Sequence, residues 1–483
     1  MTDILQISKV NETYIRVDCE PSVGMELSEH FTFMVPGAKF HPLVKNKVWD
    51  GKIRLYNVMT KQIYAGLLMN VLAFARSREY HVEFLSEFND TEFSLVEAND
   101  FAASLNLPFA PRDYQIEALT HAVRKNRALL LSPTASGKSL IIYLLQEYYN
   151  DRTLIIVPTI SLVHQLSSDF ASYGLDTDSQ VHTVTGGEDK LTDKRITIST
   201  WQSIYKQPKE FFKRFSVVIG DEAHLFKAKS LTTIMEKMTE CKYRFGFTGT
   251  LDGTETNKLV LEGLFGPVKR VAHTSDLIEQ KHLANLIIKA LVLKYPEHIR
   301  KENIKNDYQT EMDFIVRNQS RNKFIKNLTL SLKGNILVLF QYVEKHGKEL
   351  YADITNAAPD RKVFFIHGGV DGEEREDVRK LVEEEQNAII IASMGTFSTG
   401  VNIRNLHNII FASPSKSKIR TLQSIGRGLR KSETKEAVTL FDIADDLSWK
   451  KKNNYTLEHF KERMKIYAEE GFEYKIYQID LTF

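Results

Sequence analysis

From Pro111 onwards, short apolar runs alternate with amphipathic helical segments, and this alternation constrains the fold more than any other feature. The first series of runs is RALLLS, TLIIVP, RITIST, SVVIGD and YRFGFTGT. The pattern pauses near residues 250–280 and resumes with LIIKALVLKYP, NILVLFQ, KVFFIHG, NAIIIASM, NIIFASP and AVTLFDI. Continuous apolar strands separated by helices are typical of parallel sheets that are covered on both faces. The sequence therefore predicts two successive α/β lobes.

The residues on either side of these lobes have a different pattern of apolar residues. Residues 1–100 combine the strand-like alternations TYIRVDC and GKIRLYN with a helical apolar face over residues 66–80, which predicts a small α+β domain. We expect the lobes at residues 101–272 and 273–446. Residues 447–483 are predicted to form a helical tail that opens with a basic cluster, Lys450 to Lys452. Its apolar residues on one side of the helix are Leu457, Phe460, Met464 and Tyr467.

Composition narrows the class of protein further. The chain of 483 residues is 42% hydrophobic and 26% charged, which is typical of a soluble globular protein. Its formal net charge is only +2, so any nucleic-acid-binding surface must be local. The two cysteines, Cys19 and Cys241, have no CxxC spacing, which argues against a disulfide framework or a zinc site. The apolar runs are too short to span a membrane, so we expect a soluble intracellular protein.

The stretch SPTASGKS at residues 132–139 has the features of a phosphate-binding loop. It connects a buried strand to a helix that is predicted to begin near Lys138, so backbone N–H groups converge on one point. Lys138 can reach terminal phosphates and the Ser139 hydroxyl can ligate magnesium. Ser132 replaces the glycine that usually opens such a loop, but serine is also small. A turn without a ligand remains the alternative for this stretch taken alone.

Two further motifs carry charged residues that suit the same chemistry. VVIGDEAH at residues 217–224 places Asp221 and Glu222 at the carboxyl end of a strand, where open α/β sheets bind ligands. QSIGRGLR at residues 423–430 places Arg427 and Arg430 on one helix face, as arginine fingers require. Solvated acids at a strand end and an exposed basic helix are the respective alternatives. All three motifs together are much less readily explained by chance.

This set of motifs resembles the superfamily-two helicases, which have two RecA-like lobes. The resemblance covers about residues 110–445 and also includes RDYQIEAL, VPTISLVHQ, ISTWQS, FTGT, FIHGGVDGEER and ASMGTFSTGVNI. TWQSIYKQPKEFF, MGTFSTGVNIRNLHNII, SKSKIRTLQSIGRGLRK and VWDGKIRLYN are similar to the recombination helicases of T-even-type bacteriophages. The resemblance implies an α/β fold with two tandem RecA-like lobes and a small α+β N-terminal accessory domain that binds DNA.

The resemblance also implies ATP and Mg²⁺ as cofactors and assigns roles to residues of this sequence. Catalytic roles fall on Lys138, Asp221, Glu222, Arg427 and Arg430, with Ser139 and Asp221 at the metal. Nucleotide contacts fall on Arg112, Gln115 (which would read adenine), Pro133, Thr134, Ala135, Ser136, Gly137, Lys138, Ser139 and Gly400. Nucleic-acid contacts fall on Thr159, Thr200, Gln202, Ser393 and Thr396. Coupling between the two sites falls on His224, Thr248, Thr250 and Gln423.

A basic stretch at residues 39–54 is the candidate for a separate DNA contact. It carries Lys45, Lys47 and Lys52, which would bind phosphates in a salt-dependent way, and Trp49, which could stack on a base. A solvated loop with a buried anchoring tryptophan is the alternative. Helix capping is likewise the alternative for the hydroxyls of Thr159, Thr200, Ser393 and Thr396.

The function implied is an ATP-driven helicase or translocase on branched DNA. The implied substrates are Holliday junctions, forks, R-loops and D-loops, including RNA–DNA hybrids. We expect a monomer in the host cell cytoplasm that works with phage recombination proteins and has no membrane partner. Two alternatives remain: a translocase on RNA or on duplex nucleic acid, and a nucleic-acid-binding scaffold whose ATPase activity has been lost.

Overall fold

The computed structural model describes residues 3–35, 37–187, 189–251, 254–370, 372–400, 403, 405–415, 417–429 and 437–482. The chain divides into two units. The first comprises Met1–Ser132 and Gly137–Val271, and the second comprises Pro133–Ser136 and Ala272–Phe483. Among the described residues, no helix has the length and apolar character needed to cross a membrane.

The N-terminal part of the first unit is a small α+β domain. Its elements are β1 (Ile4–Lys9), β2 (Tyr14–Asp18), α1 (Pro21–His30), β3 (Thr32–Met34), α2 (Pro42–Lys45), β4 (Lys52–Arg54), β5 (Gln62–Tyr64), α3 (Leu68–Ser77) and β6 (His81–Phe84). A sheet of order β5-β2-β1-β6 forms its centre, and β3 pairs with β4 separately. The predicted strand TYIRVDC is β2, whereas only the first part of GKIRLYN is a strand. The predicted helix over residues 66–80 is α3.

The rest of the first unit is an α/β lobe built on a seven-stranded sheet of order β13-β7-β12-β11-β8-β10-β9. All of its pairings are parallel. Its elements are α4 (Leu95–Ser104), α5 (Asp113–Lys125), β7 (Arg127–Leu131), α6 (Lys138–Tyr149), β8 (Thr153–Val157), α7 (Ile160–Ser172), α8 (Thr177–Gln180), β9 (Val181–Val184), β10 (Ile196–Thr200), α9 (Trp201–Ile204), α10 (Lys209–Phe212), β11 (Val217–Asp221), α11 (Lys229–Lys237), β12 (Tyr243–Thr248), α12 (Glu255–Phe265) and β13 (Val268–Arg270). The five predicted strands are present, and the structure adds β9 and β13.

The second unit is another α/β lobe, with a seven-stranded sheet of order β16-β17-β15-β18-β19-β14-β20. These pairings are also all parallel. Its elements are α13 (Thr274–Glu279), β14 (Asn285–Lys294), α14 (Glu297–Asn303), α15 (Tyr308–Arg317), α16 (Gln319–Ser331), β15 (Ile336–Phe340), α17 (Lys348–Ala357), β16 (Val363–Ile366), α18 (Gly372–Glu384), β17 (Ile389–Ser393), α19 (Met394–Gly400), β18 (Asn408–Phe411), α20 (Lys418–Gly428), β19 (Ala437–Asp446), α21 (Tyr455–Glu469) and β20 (Tyr474–Asp480). The six predicted strands are all present.

The C-terminal segment is more than the helical tail that the sequence predicts. The predicted helix is α21, and its Phe460 and Tyr467 are buried. After it, β20 pairs in parallel with β14, with Tyr474 opposite Ile288. The sequence does not predict this strand because its side chains are mostly exposed at the sheet edge, so the sequence there has no buried apolar run.

The N-terminal domain packs closely against the first lobe. Arg244 is fully buried and donates hydrogen bonds to Thr13 Oγ1 (2.8 Å) and to the carbonyl oxygen of Cys241 (3.1 Å). A Cβ at Gly66 would lie 2.0 Å from the carbonyl oxygen of Glu262, so the two backbones meet without an intervening side chain. The domain and lobe 1 therefore share a buried seam that combines polar contacts with close backbone packing.

Candidate functional site

The phosphate-binding loop has a backbone suited to anions. It leaves β7 at Leu131 and enters α6 at Lys138, where the sequence predicts the helix to begin. Ala135 (φ +67°) and Gly137 (φ +77°) both adopt the left-handed conformation. Alternating left- and right-handed residues turn successive N–H groups towards one concavity. Ser132 is buried and donates its N–H to the carbonyl oxygen of Thr248 (2.9 Å). Its φ is not positive, so this position does not need the backbone freedom of glycine.

The side chain of Gln115 connects its helix to this loop. Its Oε1 accepts from the backbone N–H of Arg112 (2.9 Å), and its Nε2 donates to the carbonyl oxygen of Gly137 (3.4 Å). A Cβ at Gly137 would lie 2.3 Å from that Nε2, so a larger residue would displace the Gln115 side chain from this contact, and the left-handed backbone at this position also favours glycine. Arg112 donates to the hydroxyl of Tyr114 (2.7 Å). A role for Gln115 in reading adenine remains a prediction.

Lys138, Asp221 and Glu222 come together at the carboxyl ends of the strands. The Lys138 Nζ lies 2.5 Å from Asp221 Oδ1 and 3.3 Å from Glu222 Oε1. Burial would lower the pKa of Lys138, but attraction to Asp221 and then to Glu222 outweighs it, so the pKa is raised and the amine stays charged. The sequence predicts each residue separately, and the fold places them around one point.

A series of polar contacts leads from Glu222 to the end of β12. Its backbone is left-handed (φ +50°), and its N–H donates to Asp221 Oδ1 (2.8 Å). Its Oε2 lies 3.4 Å from His224 Nδ1, which in turn is 3.0 Å from Thr248 Oγ1. The Thr248 hydroxyl donates to the carbonyl oxygen of Thr250 (2.9 Å). Because that donation uses the only hydroxyl proton, Thr248 must accept from Nδ1–H, which fixes the tautomer of His224.

These contacts connect the carboxylates of Asp221 and Glu222 to the FTGT segment at residues 247–250. Residues that couple two sites need such a connection. The Oγ1 of Thr250 is buried and has no hydrogen-bond partner among the described residues. Such an atom is a candidate for a partner supplied by a ligand or by a conformational change. The coupling roles of His224, Thr248 and Thr250 remain predictions that this geometry supports.

The two oxygen groups assigned to magnesium, Ser139 Oγ and the Asp221 carboxylate, suit a hard cation. Asp221 is buried at the end of β11, and Ser139 lies in the first turn of α6. Magnesium keeps several waters and phosphate oxygens as ligands, so one carboxylate and one hydroxyl from the protein are an adequate set. Ser139 Oγ lies 2.9 Å from the hydroxyl of Tyr173. Sequence reasoning missed Tyr173 because nothing in its local pattern distinguishes it from a core aromatic residue.

The predicted arginines lie in or just beyond α20 of the second lobe. Arg427 falls within α20, although its side chain is outside the described part of the structure, and Arg430 lies wholly outside it. Gln423 is half-buried in α20, and Gly400 is the last residue of α19. The helix predicted for this motif is therefore present as far as Gly428.

The hydroxyls assigned to the nucleic acid are engaged in local contacts. Thr159 Oγ1 accepts from the N–H of Leu162 (3.4 Å) and caps α7. Ser393 Oγ donates to Thr396 Oγ1 (2.7 Å), and both residues are buried. Helix capping, the alternative interpretation, is therefore present for Thr159 and for Ser393, whose Oγ also accepts from the N–H of Thr396 (3.3 Å). Thr200, at the start of α9, makes no side-chain capping bond. Their contacts with nucleic acid remain predictions.

At the junction of β10 and α9, one of the two predicted contact residues is more exposed to solvent than the other. Thr200 is buried, with its Oγ1 2.9 Å from Ser203 Oγ, whereas Gln202 is exposed. Of the two predicted contact residues at this junction, Gln202 is thus the one whose side chain faces solvent.

The basic stretch at residues 39–54 is largely solvent-exposed. Lys45, Lys47 and Lys52 are exposed, and none forms an ion pair with an acid in the described residues. Arg54, by contrast, is 2.5 Å from Asp50. The Trp49 indole N–H donates to the carbonyl oxygen of Lys52 (2.9 Å), which fixes the ring within the loop and leaves it half-buried. The three lysines therefore present exposed positive charge around an anchored tryptophan.

Family models match three separate parts of the chain. The model for DNA helicase UvsW, N-terminal, matches residues 5–85. The model for the type III restriction enzyme res subunit matches residues 108–253, and the model for the helicase conserved C-terminal domain matches residues 320–432. Each match falls within one of the α+β or α/β regions described above.

Individual proteins match over greater lengths. The chain is 33% identical over 496 aligned residues to the ATP-dependent DNA helicase UvsW of Enterobacteria phage T4, covering 97% of this chain and 98% of that protein. It is 26% identical to the DNA 3′-5′ translocase XPB2 of Sulfurisphaera tokodaii, covering 68% of this chain and 80% of the relative. A crystal structure of T4 UvsW matches with a TM-score of 0.53 and 31% identity, covering 99% of this chain and 100% of that one. The chain, with its two RecA-like lobes and N-terminal domain, therefore belongs to the UvsW family of superfamily-two helicases and is an ATP-dependent helicase.

Proposed function

We propose that this helicase uses ATP hydrolysis to move on branched DNA, driving Holliday-junction branch migration, fork regression and the unwinding of R-loops and D-loops. The observation that carries the proposal is the near full-length similarity to the ATP-dependent DNA helicase UvsW. The cluster of Lys138, Asp221 and Glu222, and the left-handed backbone of Ala135 and Gly137, support ATP as the energy source.

The chemistry of the site follows from these groups. Loop amides and Lys138 would hold the phosphates of ATP, and Ser139 with Asp221 would hold Mg²⁺, which neutralises charge on the phosphates when bound. Glu222 would orient the attacking water and take its proton. Arg427 and Arg430 would stabilise the charge that develops on the transferred phosphoryl group. An ATPase-dead scaffold is the less favoured alternative, because each of these residue types is retained.

The nucleic acid would follow the loops that carry Thr159, Thr200, Gln202, Ser393 and Thr396, with backbone contacts that read little sequence. The exposed lysines Lys45, Lys47 and Lys52 of the N-terminal domain would add a second, electrostatic contact, and Trp49 would stack on an unpaired base. A branched DNA substrate suits a protein with two separate contacts, because the loops of the lobes and the lysines of the N-terminal domain can each bind a different arm of the junction.

We further propose that the protein acts as a monomer in the host cell cytoplasm, alongside phage recombination proteins. A translocase on RNA or duplex nucleic acid is the second candidate. This second candidate is supported by one of the relatives, a putative ATP-dependent RNA helicase of Acanthamoeba polyphaga mimivirus, which is 26% identical over 72% of this chain.

The test is a substrate panel scored for ATP hydrolysis and strand release in the same reactions. It compares Holliday junctions, forks, R-loops, linear duplex DNA and duplex RNA, with Glu222→Gln as the matched inactive variant. Branched DNA should give the highest kcat and the only efficient strand release. Greater stimulation by duplex RNA would support the second candidate. Equal strand release by Glu222→Gln would reject an ATP-driven mechanism.

A further inference from the structure

The C-terminal helix α21 carries a buried arginine that contacts the chain just before α20. Arg463 forms a bidentate pair with Asp442 of β19, with Nε at 2.9 Å from Oδ2 and Nη2 at 2.8 Å from Oδ1. Both side chains are essentially inaccessible to solvent. Its remaining terminal nitrogen, Nη1, donates to the carbonyl oxygen of Ser415 (2.6 Å). One guanidinium therefore joins the C-terminal helix, the central sheet and the approach to α20.

Ser415 stands at the entrance to α20. Its Oγ accepts from the N–H of Ser417 (3.3 Å), and the carbonyl oxygen of Ser417 accepts from the N–H of Thr421 in the first turn of the helix. Arg463 thus fixes the point from which the helix starts. The guanidinium of Arg463 is in turn held by Asp442, which also accepts a hydrogen bond from the Tyr467 hydroxyl (2.9 Å).

The other end of α20 is fixed by a different contact. The carbonyl oxygen of Leu429 accepts from the N–H of Ala284 (2.9 Å), and a Cβ at Gly428 would lie 2.4 Å from Ile409 Cδ1. Arg427 lies between the two fixed ends, about 15 Å along the helix axis from Ser417 at the usual rise per residue. Because a helix moves as a rigid body, loss of the contact at its start would tilt α20 about this held end and change the direction in which Arg427 projects.

We propose that Arg463 is a positioning residue for hydrolysis: by holding Ser415, it sets the placement of α20 and so of Arg427. The inference rests on the proposed function, in which Arg427 stabilises the phosphoryl group during hydrolysis. An error of about 1 Å in such a group costs up to about a hundredfold in rate. The effect belongs to kcat, because an arginine that acts on developing charge contributes little to ground-state binding.

A second buried ion pair in the same lobe provides a matched control. Arg321 is fully buried and pairs with Asp445, with Nε at 2.7 Å from Oδ1 and Nη2 at 3.1 Å from Oδ2. Asp445 also accepts from a tyrosine, Tyr295, at 2.9 Å. The Nη1 of Arg321 has no hydrogen-bond partner among the described residues. The two pairs thus share their burial and chemistry, but only Arg463 reaches the segment that leads into α20.

The experiment compares Arg463→Lys with Arg321→Lys in the full-length protein. Lysine keeps a charge for the aspartate but cannot donate to Ser415 at the same time. We expect Arg463→Lys to lower the kcat of DNA-stimulated ATP hydrolysis by about ten- to a hundredfold, with KM for ATP within about twofold. Arg321→Lys should lower Tm by a similar amount and leave kcat within about twofold. Tyr467→Phe, which spares the Ser415 contact, should also leave kcat within about twofold.

The outcomes separate this inference from the proposed function. Arg463→Lys should add no further loss of kcat to Arg427→Ala, because both act through one group. Three outcomes would overturn the positioning role of Arg463. The losses of kcat could be fully additive in the double variant, kcat could be unchanged in Arg463→Lys, or Arg321→Lys could lose as much kcat as Arg463→Lys. If Arg427→Ala keeps wild-type kcat, the proposed role of Arg427 fails and the positioning role fails with it. Should Arg463→Lys not fold, Asp442→Asn removes the charge that orients the guanidinium and must show the same selective loss of kcat.

Discussion

The ammonium group of Lys138 lies between two carboxylates, 2.5 Å from Asp221 Oδ1 and 3.3 Å from Glu222 Oε1. Their side chains are only 22%, 9% and 21% exposed, respectively, so solvent screens the three charges weakly. One cation therefore compensates two adjacent anions. The same lysine is proposed to contact phosphates, which makes the stability of this corner and its catalytic function depend on one side chain.

Lys138→Ala is expected to abolish ATP hydrolysis and also to destabilise the fold. Removing one member of a buried ion pair costs about 3–5 kcal/mol, because the partner charge is left uncompensated. We expect kcat to fall at least about a hundredfold, as it does when other groups that stabilise transition-state charge are removed. Steady-state ATPase assays and thermal unfolding at pH 7.5 measure the two effects. Lys209→Ala, at an exposed lysine, is the control and should change neither. Unchanged DNA remodelling by Lys138→Ala would instead favour the scaffold hypothesis.

Reversing the charges of Lys45, Lys47 and Lys52 to Glu is expected to weaken the binding of junction DNA. The slope of log K against log salt should become shallower by about 0.9 for each phosphate that the protein no longer neutralises. Binding isotherms between about 50 and 200 mM salt, a range of about fourfold, measure that slope. The triple variant Lys461→Glu, Lys465→Glu and Lys475→Glu makes the same change in net charge elsewhere. An equal decrease of affinity in both triple variants would show that only the overall charge matters.

Gly66→Ala is expected to loosen the N-terminal domain from lobe 1. The added methyl would lie 2.0 Å from the carbonyl oxygen of Glu262, so the seam must open. Overpacking of this kind costs about 1–3 kcal/mol. Limited proteolysis should then release the N-terminal domain faster, and Tm should fall. Gly186→Ala adds the same methyl where nothing lies within 4 Å, so it is the control. Identical proteolysis rates in Gly66→Ala and wild type would contradict the close packing.

His346 is expected to make the second lobe sensitive to acid. Burial, followed by repulsion from Arg321, lowers the pKa of His346 to about 3. The unfolded chain binds this proton near pH 6.5 and the folded chain does not, so stability is full above about pH 6.5 and falls as the pH drops towards 3. This one group should cost about 2 kcal/mol between pH 7 and pH 5.

Denaturant unfolding of wild type and His346→Gln across that pH range tests the assignment. Glutamine does not titrate there, so the pH dependence should become shallower by the amount attributed to His346. His298→Gln, at an exposed histidine, is the matched control for the substitution itself. A slope that is unchanged in His346→Gln would contradict a neutral buried imidazole.

The sequence by itself determined the two α/β lobes and the chemistry of the loop and strand ends. Strands covered on both faces must be continuously apolar, so β8 and β11 were recognisable from their residues alone. The motif around Lys138 was equally recognisable, because loop, lysine and hydroxyl are adjacent in the chain. Exposed edge strands such as β20 have no such requirement, so the apolar pattern did not predict it.

Only the tertiary structure decided which distant residues meet. The contacts of Ser139 with Tyr173, of Arg244 with Thr13 and of Arg463 with Ser415 join residues from 34 to 231 positions apart. Spacing along the chain does not indicate such pairs, and the sequence does not distinguish a buried arginine from an exposed one. The fold makes these contacts obligatory, because a polar or charged group removed from water must find its hydrogen-bond partners inside the protein.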